Sequence, residues 1–163
     1  MDPKIRLIRD KSLLEGTAYF EFLPGHYVKE HWNNSSVFLD EEIMCLIERP
    51  FMDALPDYDH YSFFDVSLTK WQGILSHLEK LRETLAAAQG IRDVEDQLCC
   101  IWPGTEKSFA EDFDRNRKDL IDLITEFNSW VNLTMELKKF SIDFIPKNCS
   151  KLFSSLRGEN WLF

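Results

Sequence analysis

The sequence predicts an α+β domain in which two long amphipathic helices pack on a small, mainly antiparallel sheet. Two observations support this fold class. Apolar residues recur at helical spacing in two long segments, and short aromatic or alternating segments lie next to turn residues. With 163 residues, 44% hydrophobic and 29% charged, the chain has the size and balance of a single folded domain. We therefore expect one helix-rich domain spanning residues 1–163.

The clearest helix follows Ser67, a good N-cap residue, and should end near Gln89 with Gly90 as its stop. Its apolar stripe consists of Trp71, Ile74, Leu75, Leu78, Leu81 and Leu85. A second long helix is predicted from Thr105 or Ser108 onward, and it could exceed thirty residues. Its buried face consists of Phe109, Phe113, Leu120, Ile124, Phe127, Trp130, Val131 and Leu137.

A shorter helix should begin at Asp40, an N-cap candidate followed by two glutamates, and Pro50 should kink or divide it. Strands are predicted at 17–23, 27–32, 62–66 and 140–145, with Pro24 and Gly25 turning the first pair into a hairpin. Residues 98–102 fit either a short strand or an irregular segment. The tail from 148 onward is expected to add a short helix and to dock its apolar end on the body.

Composition also bounds the setting. No segment approaches the roughly 18 apolar residues that a membrane span needs, and the N-terminal residues lack the apolar stretch of a secretory signal. The four cysteines, Cys45, Cys99, Cys100 and Cys149, show no paired C-x-x-C spacing. We expect a cytoplasmic protein with reduced, buried thiols, no membrane association and no resident cofactor.

Negative charge is concentrated in two segments. The whole chain carries −9, and residues 40–65 hold eight Asp or Glu against the single Arg49, a net −7. Residues 93–114 hold seven acids against one Lys, a net −6. Such segments lack the clustered cations that bind phosphate, so nucleic acid is not the expected partner.

Metal and catalytic motifs are weak. His26 and His31 are five residues apart, which places them on opposite sides of a strand rather than on one helical face. Adjacent Cys99 and Cys100 lack further ligands nearby, and Asp57, Asp59 and His60 lack the rest of a calcium loop. No nucleophile elbow or phosphate-binding glycine loop occurs. The sequence therefore predicts a binding protein rather than an enzyme, with no metal site.

Two segments carry a resemblance to a known class. A short strand followed by a capped helix with an early Trp occurs in FFDVSLTKWQGILSHLEKLRETL, and NRKDLIDLITEFNSWV leads to KKFSI. Together they cover roughly a third of the chain, and their pattern resembles immunity proteins of polymorphic or contact-dependent bacterial toxins. The resemblance implies a stoichiometric inhibitor that covers a basic toxin, often a nuclease, as an anionic decoy. It transfers no individual residue.

Placement of charge and aromatic residues instead gives the candidate interface. Carboxylates that flank amphipathic rings suit contact with a basic protein, because charge steers the encounter and rings fill pockets. The predicted partner-binding residues are Glu41, Glu42, Asp53, Asp57, Tyr58, Asp59, Tyr61 and Asp65. A solvated acidic helix face remains the competing interpretation. Charge reversal at Asp57 and Asp59 should slow association and weaken its salt dependence.

Two other functions stay open. A structural or adaptor subunit would use an exposed apolar patch, for which Trp161 to Phe163 is the candidate. A metal-dependent hydrolase would need His26, His31 or His60 to converge with carboxylates in a pocket.

Overall fold

The computed structural model describes residues 4–15, 18–25, 30–99, 103–138 and 142–146, with the backbone alone at 103, 137–138 and 142–146. It confirms the helix-rich α+β class. The helices are α1 (Glu41–Ala54), α2 (Leu68–Ala87), α3 (Pro103–Glu111) and α4 (Phe113–Lys138). The strands are β1 (Tyr19–Pro24), β2 (Val37–Asp40), β3 (Phe64–Val66) and β4 (Ile142–Pro146). Among the described residues, no helix combines the length and apolarity that a membrane span requires.

The four strands form one antiparallel sheet in the order β2-β1-β4-β3. Strand β1 pairs with β2, which sequence patterning missed, and with β4. The predicted returning strand at 27–32 is only partly described. Residues 30–32 are described and lie outside the strands, whereas 26–29 lie outside the described residues. Strand β4 overlaps the predicted 140–145 strand from Ile142 onward and extends one residue further, to Pro146, and β3 confirms the end of the predicted 62–66 strand.

Both faces of β1 are buried, since five of its six residues are buried and Pro24 is partly so. Phe20 and Phe22 face the main core together with Val37 and Leu39 of β2, whereas Tyr19 joins a smaller cluster with Ile8 and Phe38. The small cluster is closed by the N-terminal segment, because Ile8 exchanges backbone hydrogen bonds with Phe38 at 2.9 and 2.8 Å. Strand β2 is thus covered at one edge, and β3 forms the other edge of the sheet.

Aromatic rings join the sheet to three helices. Phe22 contacts Phe51 of α1, Trp71 of α2 and Phe127 of α4, with ring centroids 4.8 to 6.4 Å apart. All four side chains are almost fully buried. Because each ring removes a large apolar area from water, this cluster stabilises the packing of α1, α2 and α4 on β1.

Helix α1 begins as predicted. The Asp40 carboxylate accepts a hydrogen bond from the Glu42 N–H at 3.0 Å, and two glutamates occupy the first turn. The expected division at Pro50 does not occur, because the helix runs on to Ala54 with Pro50 buried inside it. The buried side chains of Pro50 and Phe51 compensate for the backbone hydrogen bond that proline cannot donate.

Helix α2 confirms the predicted cap and stripe. Ser67 accepts from the Lys70 N–H, and five of the six stripe residues are buried with Leu75 partly so. The predicted glycine stop is wrong: the helix ends at Ala87, and Gly90 has a φ of −168° before a short 3-10 turn at Ile91–Asp93. The C-terminal end of α2 is stabilised by Arg117 of α4 instead, whose guanidinium donates a hydrogen bond to the Ala88 carbonyl.

The predicted second long helix is interrupted at residue 112, which gives α3 and α4 in place of one rod. The Asn116 amide explains how the break is tolerated. Its Nδ2 donates to the carbonyls of Ser108 and Phe109 at 3.0 and 3.1 Å, so the end of α3 keeps hydrogen-bond partners. Helix α3 begins at Pro103, two residues before the earliest predicted start at Thr105. The predicted tail helix and the docking of 161–163 lie outside the described residues.

Candidate functional site

The segment 55–63 connects α1 to β3 and carries four of the eight predicted interface residues. Backbone hydrogen bonds close two turns in it, from Tyr58 N–H to Leu55 and from Ser62 N–H to Asp59. The Asp59 carboxylate also accepts from the Ser62 hydroxyl at 2.6 Å and from the Tyr61 N–H at 3.2 Å. These bonds hold the pKa of Asp59 below its usual value, so the loop keeps this negative charge at mildly acidic pH.

Beneath the loop lies a buried carboxylate, Glu48 of α1, which is 1% exposed. Its Oε1 accepts from the Tyr58 hydroxyl at 2.7 Å and lies 2.5 Å from His60 Nδ1. Its Oε2 is also buried and has no hydrogen-bond partner among the described residues. Burial, followed by the negative charge of Glu48, raises the pKa of Tyr58 far above its usual range, so the phenol remains a donor.

His60 connects the loop to both ends of the α1 face. The imidazole is 8% exposed, its edge packs on Phe20 at 4.8 Å between centroids, and its Nε2 lies 3.4 Å from Glu41 Oε1. Burial lowers the pKa of His60. The hydrogen bonds to Glu41 and Glu48 and the charges of both carboxylates outweigh burial and raise that pKa to about 9. Near neutral pH the ring is therefore an imidazolium held between two carboxylates.

Two thiols border this cluster. Cys45 is buried one helical turn before Glu48, and the sulfur, carboxylate and imidazole donor atoms of Cys45, Glu48 and His60 all lie within 4.8 Å of one another. Cys99 follows a 3-10 turn, and its Sγ lies 3.8 Å from Met52 Sδ on the same face of α1. Burial and then the Glu48 charge raise the pKa of the Cys99 thiol.

Three predicted interface residues have partners inside the molecule. Glu41 faces His60, Glu42 accepts a hydrogen bond from the Thr105 hydroxyl at 3.3 Å, and Asp53 pairs with Arg49 at 2.9 Å. Glu42 and Asp53 lie roughly a third of a turn around α1 from the face that carries Glu41 and Glu48. The structure therefore does not bring Glu42 and Asp53 together with the loop residues.

The remaining predicted residues occupy the loop and β3. Tyr58 is half-buried, with its ring stacked on Phe64 at 5.6 Å and its hydroxyl on Glu48, so it supports the loop from within. Tyr61 is 41% exposed, and Phe63, which the charge argument did not select, is 54% exposed. Together with three exposed carboxylates they form what we call the acidic aromatic surface, which consists of Asp57, Asp59, Tyr61, Phe63 and Asp65.

Histidine geometry bears on the hydrolase alternative. His60 does converge with two carboxylates, but His60 and Glu48 are buried beneath the loop, and the Glu41 side chain is 20% exposed. His31 is exposed, with its ring 6.1 Å from Phe63, and His26 lies outside the described residues. A cavity of about 590 Å³ lies elsewhere, between the N-terminal segment, α1, α3 and α4, and has Glu42 in its wall.

Sequence reasoning missed the buried cluster for a specific reason. Glu48 was counted among the solvent-facing acids of 40–65, yet all six residues from Ile43 to Glu48 are buried. One signal was present, because Glu41, Cys45 and Glu48 are spaced i, i+4 and i+7 and so share a helix face. The approach of His60 and Cys99 to that face is a tertiary contact without a local signature.

Comparison of the chain with protein-family models, with curated proteins and with solved structures finds no match in any of the three.

Proposed function

We propose that this chain is a protein-binding module that meets a basic protein through the acidic aromatic surface, and that the partner is a cognate toxin which it neutralises. The observation that carries the proposal is the exposure of two large aromatic side chains, Tyr61 and Phe63, among the carboxylates of Asp57, Asp59 and Asp65. Exposed rings next to uncompensated charge are typical of interface anchors with a charged rim.

Charge complementarity selects the partner. Residues 50–69 contain no Lys or Arg, so the loop and β3 present their negative charge without neighbouring cations in sequence. Such a field accelerates encounter with a positively charged surface and disfavours acidic partners. A basic protein is the class of partner that this surface fits.

Rigidity of the loop supports the same function. Tyr58 and His60 attach the middle of the loop to Glu48 from below, while Asp59 closes it with its own hydrogen bonds. A surface that is ordered before binding loses less conformational entropy on association. The flanking residues Tyr61 and Phe63 are thus presented from a fixed backbone.

The toxin is the specific form of this proposal. The pattern resemblance to immunity proteins makes a basic toxin, with nucleases first among them, the partner class to test. An immunity protein must bind its toxin stoichiometrically, and a preformed acidic surface that mimics phosphate would achieve this without chemistry of its own.

Photocrosslinking followed by kinetics tests the proposal. Phe63 replaced by p-benzoylphenylalanine should crosslink a basic protein in the native cell, whereas the same replacement at Leu133, 55% exposed on α4, should not. The captured protein is then expressed, purified and measured against Asp57→Lys/Asp65→Lys. Asp59 is left unchanged because it accepts hydrogen bonds within the loop. We expect association to slow about tenfold at low salt and to depend less on ionic strength.

The matched control is Glu83→Lys/Glu136→Lys, which makes the same change in net charge on the exposed surfaces of α2 and α4. Association that slows equally in this control would reduce the effect to net charge and reject the acidic aromatic surface as the interface. Neutralisation is tested separately from binding. Co-expression of this chain should restore growth to cells that express the partner. A partner that binds at Phe63 but is harmless would reject the toxin and leave the binding module standing.

A further inference from the structure

We propose that Cys45, Glu48, His60 and Cys99 form a zinc site beneath the acidic aromatic surface. The first three place donor atoms within 4.8 Å of one another, and they come from two neighbouring turns of α1 and from the loop. Thiolate, imidazole and carboxylate are the donors that Zn²⁺ uses in four-coordinate sites. Two sulfur donors make the set unsuitable for Ca²⁺ or Mg²⁺, which take oxygen ligands.

The second observation is the orphaned oxygen of Glu48. Oε2 is buried without a hydrogen-bond partner among the described residues, although an unpaired carboxylate oxygen is costly to bury. Oε1 is already engaged by the Tyr58 hydroxyl. A zinc ion bound at Oε2 would satisfy the free oxygen while Tyr58 fixed the orientation of the carboxylate.

His60 has the matching arrangement. Its Nδ1 faces Glu48, whereas its Nε2 faces the Glu41 carboxylate at 3.4 Å. Histidines that ligate a metal usually donate their other ring N–H to a carboxylate or carbonyl, which fixes the tautomer and the ring direction. Glu41 is placed for that role, with Nδ1 as the zinc ligand.

One adjustment is required. Nδ1 and Oε1 lie 2.5 Å apart, whereas nitrogen and oxygen donors on a tetrahedral zinc ion, each about 2.0–2.1 Å from the metal, lie roughly 3.3 Å apart. On binding, zinc would therefore replace the hydrogen bond between His60 Nδ1 and Glu48 Oε1. A small rotation of the imidazole away from Oε1 and toward the side of Oε2 would make room for the ion between Nδ1 and Oε2. The two thiols and the imidazole release their protons on binding.

Cys99 is the fourth ligand that we propose, from a third segment; it lies outside the group of three whose donor atoms are within 4.8 Å of one another. Its sulfur lies beside Met52, one turn after Glu48 on the same face of α1, and it interacts with the Glu48 carboxylate. A four-coordinate ion would thus connect α1, the loop at 60 and the segment after α2. The ion would hold the loop on the helix at the point where Tyr58 and His60 now bond to Glu48.

Metal titration of the purified full chain, reduced and freed of metal with EDTA, tests the site. We expect one Zn²⁺ per chain by calorimetry, and Co²⁺ should give the visible bands of tetrahedral coordination with a thiolate charge-transfer band. Cys45→Ser, His60→Gln and Cys99→Ser should each lower zinc affinity at least tenfold, since outer or inner ligands commonly contribute that much. Mg²⁺ should not bind.

His77→Gln, a half-buried histidine on α2, is the matched control and should bind zinc like the unaltered chain. Zinc should raise the Tm of the unaltered chain and of His77→Gln, and leave that of Cys45→Ser unchanged, which separates loss of the site from loss of folding. Absence of stoichiometric zinc, or full affinity in Cys45→Ser or Cys99→Ser, would overturn the site and leave a hydrogen-bonded pair. The titration uses no partner protein, so its outcome is independent of the proposed function.

Discussion

Two buried glutamates organise two loops of this molecule, and they differ in how completely their oxygens are satisfied. Glu21 of β1, 2% exposed, accepts hydrogen bonds from the backbone N–H groups of Trp32 and Asn33, the Asn33 side chain and the Ser36 hydroxyl. Glu48 of α1 concentrates its bonds on one oxygen and leaves the other without a partner among the described residues.

The difference separates a structural role from a capacity to bind. Four donors, two of them backbone N–H groups, satisfy Glu21, and they fix the loop at 32–36 even though Trp32 has a φ of 62°. Glu48 has one charged partner and one phenol, and so retains one coordination position. A fully bonded carboxylate holds a backbone in place, whereas a partly bonded one can take a further ligand.

The largest effect is expected at the saturated site. Glu21→Ala removes the acceptor of four hydrogen bonds and leaves buried N–H and hydroxyl donors unpaired, so we expect a loss of about 3–5 kcal/mol in the free energy of unfolding. Urea denaturation measures it. Glu83→Ala, an exposed glutamate of α2, should change stability by less than about 0.5 kcal/mol. A loss below about 1 kcal/mol at Glu21 would remove the contrast between the two carboxylates.

The second effect is a pH dependence that belongs to the Glu48 side. The pKa of His60 is raised to about 9 in the folded protein, against about 6.5 unfolded, so its stabilisation is complete below pH 6.5 and is lost as pH rises through 9. The expected loss is up to about 3 kcal/mol in metal-free protein.

Denaturation in EDTA at a series of pH values from about 6 to about 9.5, which spans both pKa values, measures this loss. The quantity to compare is the free energy of unfolding of the unaltered chain and of His60→Gln. His77→Gln should keep the pH dependence of the unaltered chain. Stability that rises over the same interval would mean that His60 is folded in its neutral form, and Glu48 would then lack its charged partner.

The smallest effect concerns the phenol. Tyr58→Phe keeps the ring on Phe64 and removes only the hydroxyl that donates to Glu48 Oε1, so we expect a loss of about 1 kcal/mol. The same urea series measures it. A loss above about 3 kcal/mol would indicate that the phenol carries most of the anchoring of the loop, and that His60 carries little.

The elements that sequence predicts well here are those with local signals. Helix α2 is predicted well because both of its signals are local in sequence: the N-cap at Ser67 and the 3.6-residue period of apolar residues from Trp71 to Leu85. Strand β2 was missed because Val37, Phe38 and Leu39 are three consecutive apolar residues, too short to show alternation, and their pairing with β1 is not local.

The candidate site also has one part that the sequence predicts and one part that it does not. Charge counting located the segment 40–65, and the structure presents Asp57, Asp59 and Asp65 at its surface. Counting could not distinguish Glu48 from them, because burial of that side chain depends on His60 and Tyr58 from the following loop. Exposure of Phe63 was not predicted either, because the residue lies inside the predicted strand 62–66 and a large apolar side chain is buried more often than exposed.

The strand order has a consequence for when the acidic aromatic surface forms during folding. Strand β4, residues 142–146, lies between β1 and β3, so in the described sheet β3 acquires its hydrogen-bonded neighbour only from a segment made some 75 residues later. While the chain is being synthesised, the helices can pack on β1 and β2, but β3, which carries Asp65, has no hydrogen-bonded neighbour until β4 is made. On the proposed function, β3 would add Asp65 to the acidic aromatic surface as a paired strand only after β4 has been synthesised.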